Sequence, residues 1–251
     1  MKTLLKVKDL CKTYIVNKQQ NNVLRNVNLS IREGEYTAVM GPSGSGKSTL
    51  LYTVSGMDRL TAGEIIFDGR KLSEMNENAL ADLRLTEMGF IFQQMYLLKT
   101  LSIYDNIILS AYMAGKRSRS QINADADALM KQLDIIGLAD NDISETSGGQ
   151  LQRACICRAL INRPKILFAD EPTGALNSSA AKEVMRVLDQ VNEQGTALMV
   201  VTHDPSVSAR ADRVLYIRDG NINGEYHLEA LPQNHKERER GLNQWLMDMG
   251  W

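Results

Sequence analysis

The chain has no apolar run long enough to cross a membrane as a helix. A spanning helix takes about 18 or more consecutive apolar residues, and no stretch of the 251 residues reaches that length. The N-terminus, MKTLLKVKDL, carries charges every few residues and lacks the apolar region of a secretory signal. We therefore expect a soluble chain that reaches a membrane, if it acts at one, through another protein.

Cysteine is scarce, and charges of the two signs nearly balance. Three cysteines are too few and too unevenly placed for a disulfide framework, so the reduced thiols of a cytosolic protein are expected. Cys155 and Cys157 lie two residues apart on a predicted helix, so they would point to different faces and are not expected to hold a metal. With 29 Lys and Arg against 30 Asp and Glu, the chain has no overall attraction to nucleic acid or anionic lipid.

The apolar pattern predicts an α/β fold with a mainly parallel sheet. Residues 23–31 alternate between apolar and polar, which is typical of a half-buried strand. Residues 166–169 and 197–201 are continuously apolar, as in central strands covered on both faces. Between these two runs, apolar residues recur at helical spacing at Val184, Val187, Leu188 and Val191. A strand, a helix and a further strand in succession predict parallel pairing.

Helical patterns dominate the middle of the chain. They are clearest at residues 76–85, 103–113 and 125–133. We interpret residues from about 71 to 160 as a helical lobe inserted into the core.

A glycine-rich motif follows the apolar run at residues 36–40. GPSGSGKS at 41–48 fits the pattern G-x-x-x-x-G-K-[ST], and a helical run follows it. The glycines let backbone N–H groups surround an anion, and the helix N-terminus adds positive potential. Lys47 should reach the β and γ phosphates, and the Ser48 hydroxyl should bind Mg²⁺. The predicted nucleotide contacts are Gly41, Pro42, Ser43, Gly44, Ser45, Gly46, Lys47, Ser48 and Thr49.

Two carboxylates follow the buried strand predicted at residues 166–169. Asp170 and Glu171 follow Ile166–Ala169 directly. A Mg²⁺ nucleotide needs a carboxylate at the end of such a strand, so Asp170 is the predicted metal partner. Glu171 is then free to orient the attacking water as general base.

A second predicted anion site opens another helix. Ser147-Gly148-Gly149-Gln150 precede a helical run, and a cap alone would not require paired glycines. The chain thus has two predicted phosphate-binding segments but only one P-loop, the motif at residues 41–48. The simplest account is that the second segment serves a nucleotide held by another chain.

These motifs, in this order, resemble the ATPase subunit of an ATP-binding cassette transporter. The resemblance covers residues 4 to about 224 and implies a P-loop NTPase core with an antiparallel N-terminal β region. It implies that Tyr14 stacks on adenine, that Gln93 links Mg²⁺ and the attacking water to the lobe, and that His203 contacts the γ phosphate. His203 also has independent support, because open α/β sheets bind ligands at the carboxyl ends of their strands.

The sequence departs from the family pattern at two positions. Thr146 stands where the signature usually begins with leucine, and Asn177 stands where the loop after the second motif usually has aspartate. Asn177 keeps its hydrogen-bonding capacity but carries no charge. Within the family, the segment FADEPTGAL looks closest to the branch that serves macrolide export, lipoprotein release and bacitracin-type peptide resistance.

The resemblance implies a cytosolic ATPase that closes head to tail with a second copy on two ATP molecules. Hydrolysis would then drive a separate integral membrane permease, placing the chain at the cytoplasmic face of the cell membrane. No nucleic-acid partner is expected. The alternatives are the ATPase of a nutrient importer, which would share every motif, a nontransport relative in translation or DNA repair, and a cassette that senses ATP without turnover.

Two apolar segments are candidate contacts for that permease. Residues 95–98, Met-Tyr-Leu-Leu, would receive its coupling helix or else belong to the core of the lobe. We place the ATPase domain at residues 1–233 and an amphipathic helix at 234–251, with Leu242, Trp245, Leu246 and Met249 on its apolar face. We expect this face to dock on the membrane partner rather than on its own domain, so that truncation after Gln233 spares folding.

Overall fold

A computed structural model describes residues 2–228 and 234–251. The chain divides into two compact units, one made of Met1–Leu80 with Ala197–Trp251 and the other of Ala81–Thr196. The second unit therefore includes a strand pair and a long helix besides the helices expected for the lobe. The predicted domain boundary at residue 233 lies outside the described residues.

Strands and helices alternate along most of the chain. The strands are β1 Thr3–Val16, β2 Gln19–Arg32, β3 Tyr36–Met40, β4 Ala62–Phe67, β5 Arg70–Lys71, β6 Met88–Ile91, β7 Ile166–Asp170, β8 Ala197–Val201, β9 Arg213–Arg218 and β10 Asn221–His227. The helices are α1 Lys47–Val54, α2 Glu77–Glu87, α3 Ile103–Ala114, α4 Arg119–Gln132, α5 Gly148–Leu160, α6 Ser178–Glu193, α7 Pro205–Ser208 and α8 His235–Asp248. In the part of the chain that the structure describes, none of these helices has the length and apolar character needed to cross a bilayer.

The N-terminal region of the first unit is an antiparallel sheet with strand order β2-β1-β4-β5. β1 and β2 pair along nearly their whole length, from Thr3 opposite Arg32 to Val16 opposite Gln19. The register shifts between Val7 and Leu10, where the β1 backbone bulges. The hairpin carries Tyr14 close to its turn.

The rest of the first unit is built on strands in the order β10-β9-β3-β8. β3 is parallel to both β8 and β9, whereas β10 returns antiparallel to β9. Every residue of β3 and β8 is buried, as the continuous apolar runs predicted. Because parallel strands end at the same sheet edge, the loops that follow β3 and β8 emerge side by side.

The second unit contains the parallel pair β6 and β7, with Ile91 opposite Ala169. Its helices α3 and α4 both pack against α5. The helix predicted between the two apolar runs is α6, and its four periodic apolar residues are buried: Val184, Val187, Leu188 and Val191. The parallel strands and the antiparallel N-terminal sheet confirm the predicted fold class.

The C-terminal segment forms the expected amphipathic helix, α8, but its apolar face is already covered. Leu242 and Leu246 are fully buried in the first unit. The Trp245 ring stacks on Tyr226 with centroids 5.2 Å apart. Gly224 of β10 lies so close that a Cβ there would be 3.0 Å from the Trp245 ring. The expectation that this face serves a membrane partner is therefore wrong, because the helix buries its apolar face against its own unit.

The packing of α8 predicts a different truncation result from the one expected from sequence. A chain ending at residue 233 should lose about 3 to 6 kcal/mol of unfolding free energy, because it lacks the two fully buried leucines of α8. Chemical denaturation would measure the loss. Met247, which is 67% exposed on the same helix, supplies the control, since Met247→Ala should leave stability unchanged. An unchanged stability of the truncated chain would contradict the packing described.

Candidate functional site

The loop after β3 is shaped by three glycines. Gly41, Gly44 and Gly46 have φ values of 157°, 77° and 102°. A Cβ on Gly41 would lie 2.0 Å from the Ile217 carbonyl oxygen, so no other residue fits there. Gly46 caps α1 without any side-chain hydrogen bond, which leaves the helix N-terminus to other partners.

The lysine of this loop folds back over the loop itself. Lys47 Nζ donates to the carbonyl oxygens of Gly41 and Pro42, each at 2.8 Å. Within residues 2–228 and 234–251, the buried Ser45 hydroxyl has no hydrogen-bond partner. A glycine-shaped cradle, an ammonium group above it and an uncapped helix N-terminus together fit a polyphosphate.

His203 lies at the same sheet edge as this loop. It follows β8, which pairs with β3 as far as Val39 opposite Val201, and the Thr202 N–H donates to the Val39 carbonyl at 3.2 Å. Asp204 then caps α7 through its side chain. His203 is thus an exposed residue on a short turn whose two ends are hydrogen-bonded.

Tyr14 is held by residues that the sequence did not single out. Its hydroxyl donates to Asp58 Oδ2 at 2.5 Å, and Lys12 Nζ donates to the other oxygen of the same carboxylate at 2.5 Å. Partial burial and the hydrogen bond to Asp58 raise the pKa of Tyr14 above its ordinary value. Although partial burial raises the pKa of the Asp58 carboxyl, the hydrogen bonds from Lys12 and Tyr14 outweigh it and leave that pKa below its usual value.

Gln93 and Glu171 come together in the second unit. β6 ends at Ile91 and β7 ends at Asp170, which is 5% exposed, and the two strands are parallel neighbours. A Cβ on Gly174 would be 3.5 Å from the Glu171 Cβ and 3.7 Å from the Gln93 Nε2. The Glu171 Cβ and the Gln93 amide nitrogen therefore both lie beside Gly174.

The predicted second anion site begins α5, and Gln150 has a structural role there. Gln150 Oε1 accepts hydrogen bonds from the Ser147 N–H at 3.0 Å and from the Ser147 hydroxyl at 2.8 Å. A Cβ on Gly149 would lie 2.9 Å from the Ala180 Cβ, so the second glycine permits close packing of α6. The S-x-x-Q spacing is a capping signature that could have revealed this role of Gln150 from sequence.

A cavity of about 310 Å³ lies between the starts of α5 and α6. Ser147, Gly148 and Asn177 are among its lining residues. Asn177 caps α6, because its Oδ1 accepts from the Ala180 N–H at 2.9 Å. Hydrogen bonds at the N-termini of α5 and α6 thus hold Ser147 and Asn177 in place at this cavity.

Each unit carries its own group of predicted site residues. The first holds Tyr14, His203 and the loop from Gly41 to Thr49, which includes Ser48. The second holds Gln93, Asp170, Glu171 and the segment from Ser147 to Gln150.

Comparisons with known proteins identify the family of this chain. A family model described as ABC transporter matches residues 24–174, and the chain belongs to that family. Among curated proteins it is similar to the macrolide export ATP-binding/permease protein MacB of Psychrobacter cryohalolentis, with 41% identity over 91% of this chain and 34% of that protein. MacB of Campylobacter jejuni is 43% identical over 86% of this chain and 33% of that protein. The chain thus spans about a third of the length of these relatives.

A solved structure extends the likeness to three dimensions. It shows the ATP-binding cassette MJ0796 as a dimer in a post-hydrolysis state, bound to ADP and Pi. The TM-score is 0.84 at 37% identity, over 90% of this chain and 99% of that one. The predicted resemblance to an ABC ATPase cassette is confirmed, and the curated relatives carry the name of a branch that the sequence suggested.

Glu171 has an unusual backbone, and this generates a test. Its φ of 47° lies in the left-handed region, which costs a residue with a Cβ roughly 1 to 2 kcal/mol. Glu171→Gly should therefore be more stable than Glu171→Gln by about 0.5 to 1 kcal/mol, since both lose the carboxylate and glycine alone relieves the strain. Urea unfolding of the two variants measures the difference. A glycine variant no more stable than the glutamine variant would show that the backbone is not strained.

Proposed function

We propose that the chain is the ATP-hydrolysing subunit of an ABC transporter, two copies of which close head to tail on two ATP molecules. The observation that carries the proposal is the glycine-shaped loop with Lys47 above it at the start of α1. In this proposal the loop amides and Lys47 hold the β and γ phosphates. Tyr14 stacks on the adenine.

The polar residues at the strand ends carry the hydrolytic step. Glu171 accepts a proton from the attacking water, and Gln93 orients that water. His203 contacts the γ phosphate from its hydrogen-bonded turn. Ser48, Asp170 and Gln93 would hold Mg²⁺, which neutralises charge on the phosphate oxygens when bound.

The second chain completes each nucleotide site. Ser147 caps α5, Gly148 and Gly149 begin it, and Ser147 and Gly148 are exposed, so this helix N-terminus is accessible to an anion. Each chain has two predicted phosphate-binding segments but only one P-loop. The segment at the start of α5 therefore serves the nucleotide bound to the partner copy, and Gln150 lies beside it. The dimeric ADP-bound cassette with 37% identity supports this arrangement.

An exposed apolar segment offers the contact to a membrane permease at the cytoplasmic face. Tyr96 and Leu98 are 64% and 49% exposed. Arg158 of α5 fixes this segment by donating to the carbonyls of Met95 and Tyr96, each at 2.7 Å. The buried Asn106 of α3 holds its far end by donating to the Leu98 carbonyl at 3.1 Å. A rigid, apolar and exposed loop suits a partner helix better than it suits solvent.

Export is the direction that the relatives favour over nutrient import. Both curated relatives carry names that join an ATP-binding part to a permease for macrolide export. We infer that this chain drives the export of, or resistance to, hydrophobic compounds or peptide antibiotics, with the permease supplied by the remainder of a longer protein or by a separate chain.

Glu171→Gln tests the hydrolytic assignment. The variant should bind ATP with unchanged affinity and accumulate as a dimer. It should hydrolyse ATP at least 100-fold more slowly, because an amide cannot act as a general base and general-base catalysis contributes on the order of 10²- to 10⁴-fold. Calorimetry, phosphate release and size-exclusion chromatography measure the three effects. Lys47→Ala is the control, since it should lose ATP binding and remain a monomer. Turnover by Glu171→Gln at the native rate would refute the role of Glu171.

Asn177 generates a second test, of the contact between copies. Asn177→Asp keeps the cap on α6 and adds a charge, which strengthens hydrogen bonds to it. Turnover should rise about two- to fivefold, since charge-assisted hydrogen bonds gain roughly 0.5 to 1 kcal/mol in such settings. Stability should not fall, because asparagine and aspartate cap helices about equally well, whereas Asn177→Ala should lose about 0.5 to 2 kcal/mol with the cap. Lower turnover in the aspartate variant, with stability unchanged, would show that asparagine is fitted to this interface.

A further inference from the structure

A charged network surrounds Tyr14, the residue proposed to stack on the base. The Tyr14 hydroxyl bonds to Asp58 Oδ2 at 2.5 Å. Lys12 is only 7% exposed, and its Nζ bonds to Asp58 Oδ1 at 2.5 Å and to the Arg59 carbonyl at 2.7 Å. The phenol oxygen is therefore tied to a carboxylate that a buried ammonium group neutralises.

Lys12 also covers one side of the aromatic ring. Its Nζ lies 4.6 Å from the Tyr14 ring centroid, within the range of a cation–π contact. A nucleotide base can therefore stack only on the opposite face of the ring.

Asp58 is in turn fixed to the helix that follows the phosphate-binding loop. α1 begins at Lys47, and beyond its last residue the N–H groups of Met57 and Asp58 both donate to the Tyr52 carbonyl, at 2.9 and 3.0 Å. The Tyr14 hydroxyl is thus tied through Asp58 to the end of α1.

We propose that Asp58 and Lys12 are positioning residues that lock the Tyr14 ring at a set orientation and distance from the phosphate-binding loop. The inference rests on the proposed function, because it assigns the way in which that nucleotide site recognises the base. A tyrosine near the turn of an exposed hairpin would otherwise lose rotational freedom on binding, and fixing it beforehand removes that cost. Stacking tolerates any base, so the network sets affinity for nucleotides as a class.

Tyr14→Phe is the sharpest probe, because it removes the tethered oxygen and keeps the ring. Calorimetry should compare the binding of Mg-ATP with that of Mg-tripolyphosphate, which has the phosphates but no base. We expect Tyr14→Phe and Asp58→Ala each to weaken ATP binding about fivefold through the lost charge-assisted hydrogen bond, and to leave tripolyphosphate binding unchanged. The double variant should be no weaker than either single variant, because both changes break the same link.

Arg59→Ala is the matched control. Arg59 is adjacent to Asp58, but its side chain pairs with the exposed Glu77, so neither ligand should bind differently. Losses of ATP affinity that multiply in the double variant would overturn the proposal, as would an equal loss of tripolyphosphate binding in Asp58→Ala. If Asp58→Ala does not fold, Tyr14→Phe decides alone, and an unchanged ATP affinity refutes the tether. Failure of the native chain to bind ATP would instead contradict the proposed function.

Discussion

Parallel strand pairing is the constraint on which the candidate site depends. β3 and β8 run in the same direction in the first unit, and β6 and β7 do so in the second. Since parallel strands end together, each unit presents its polar loops at one sheet edge. The hydrogen bond from the Thr202 N–H to the Val39 carbonyl, and the pairing of Ile91 with Ala169, fix the residues from which these loops start. The backbone thus determines where these loops begin, and the side chains on the loops supply the chemistry.

The sequence predicted most of what depends on local pattern. Continuous apolar runs located β7 and β8, helical spacing located α6, and the motif around Lys47 located the glycine-shaped loop before α1. Spacing alone could not pair Lys12 with Asp58, because the contact joins the first hairpin to the loop after α1, 46 residues away. Nor could it show where α8 docks, because an amphipathic stripe reveals that a face must be covered and not what covers it.

Gln150 and Asn177 each have a local structural role and a proposed catalytic or binding role. Gln150 holds the N–H and hydroxyl of Ser147, and Asn177 caps α6, while both line the cavity at the proposed contact between copies. Glu171 differs from these two residues, because the proposed general base has a left-handed backbone conformation that a glycine would adopt more readily. A residue kept where it costs stability is consistent with selection for chemistry at that point.

Helix α5 connects two surfaces for which different roles are proposed. Its first turn carries Gly148 and Gly149, and ten residues further on Arg158 grips the carbonyls of Met95 and Tyr96. A helix rises about 1.5 Å per residue, so about 15 Å separates the two ends of this connection. Under the proposed function, a phosphate arriving at the first turn would displace a short and stiff helix. The displacement would then reach Arg158, and the apolar segment that Arg158 holds would move with nucleotide capture.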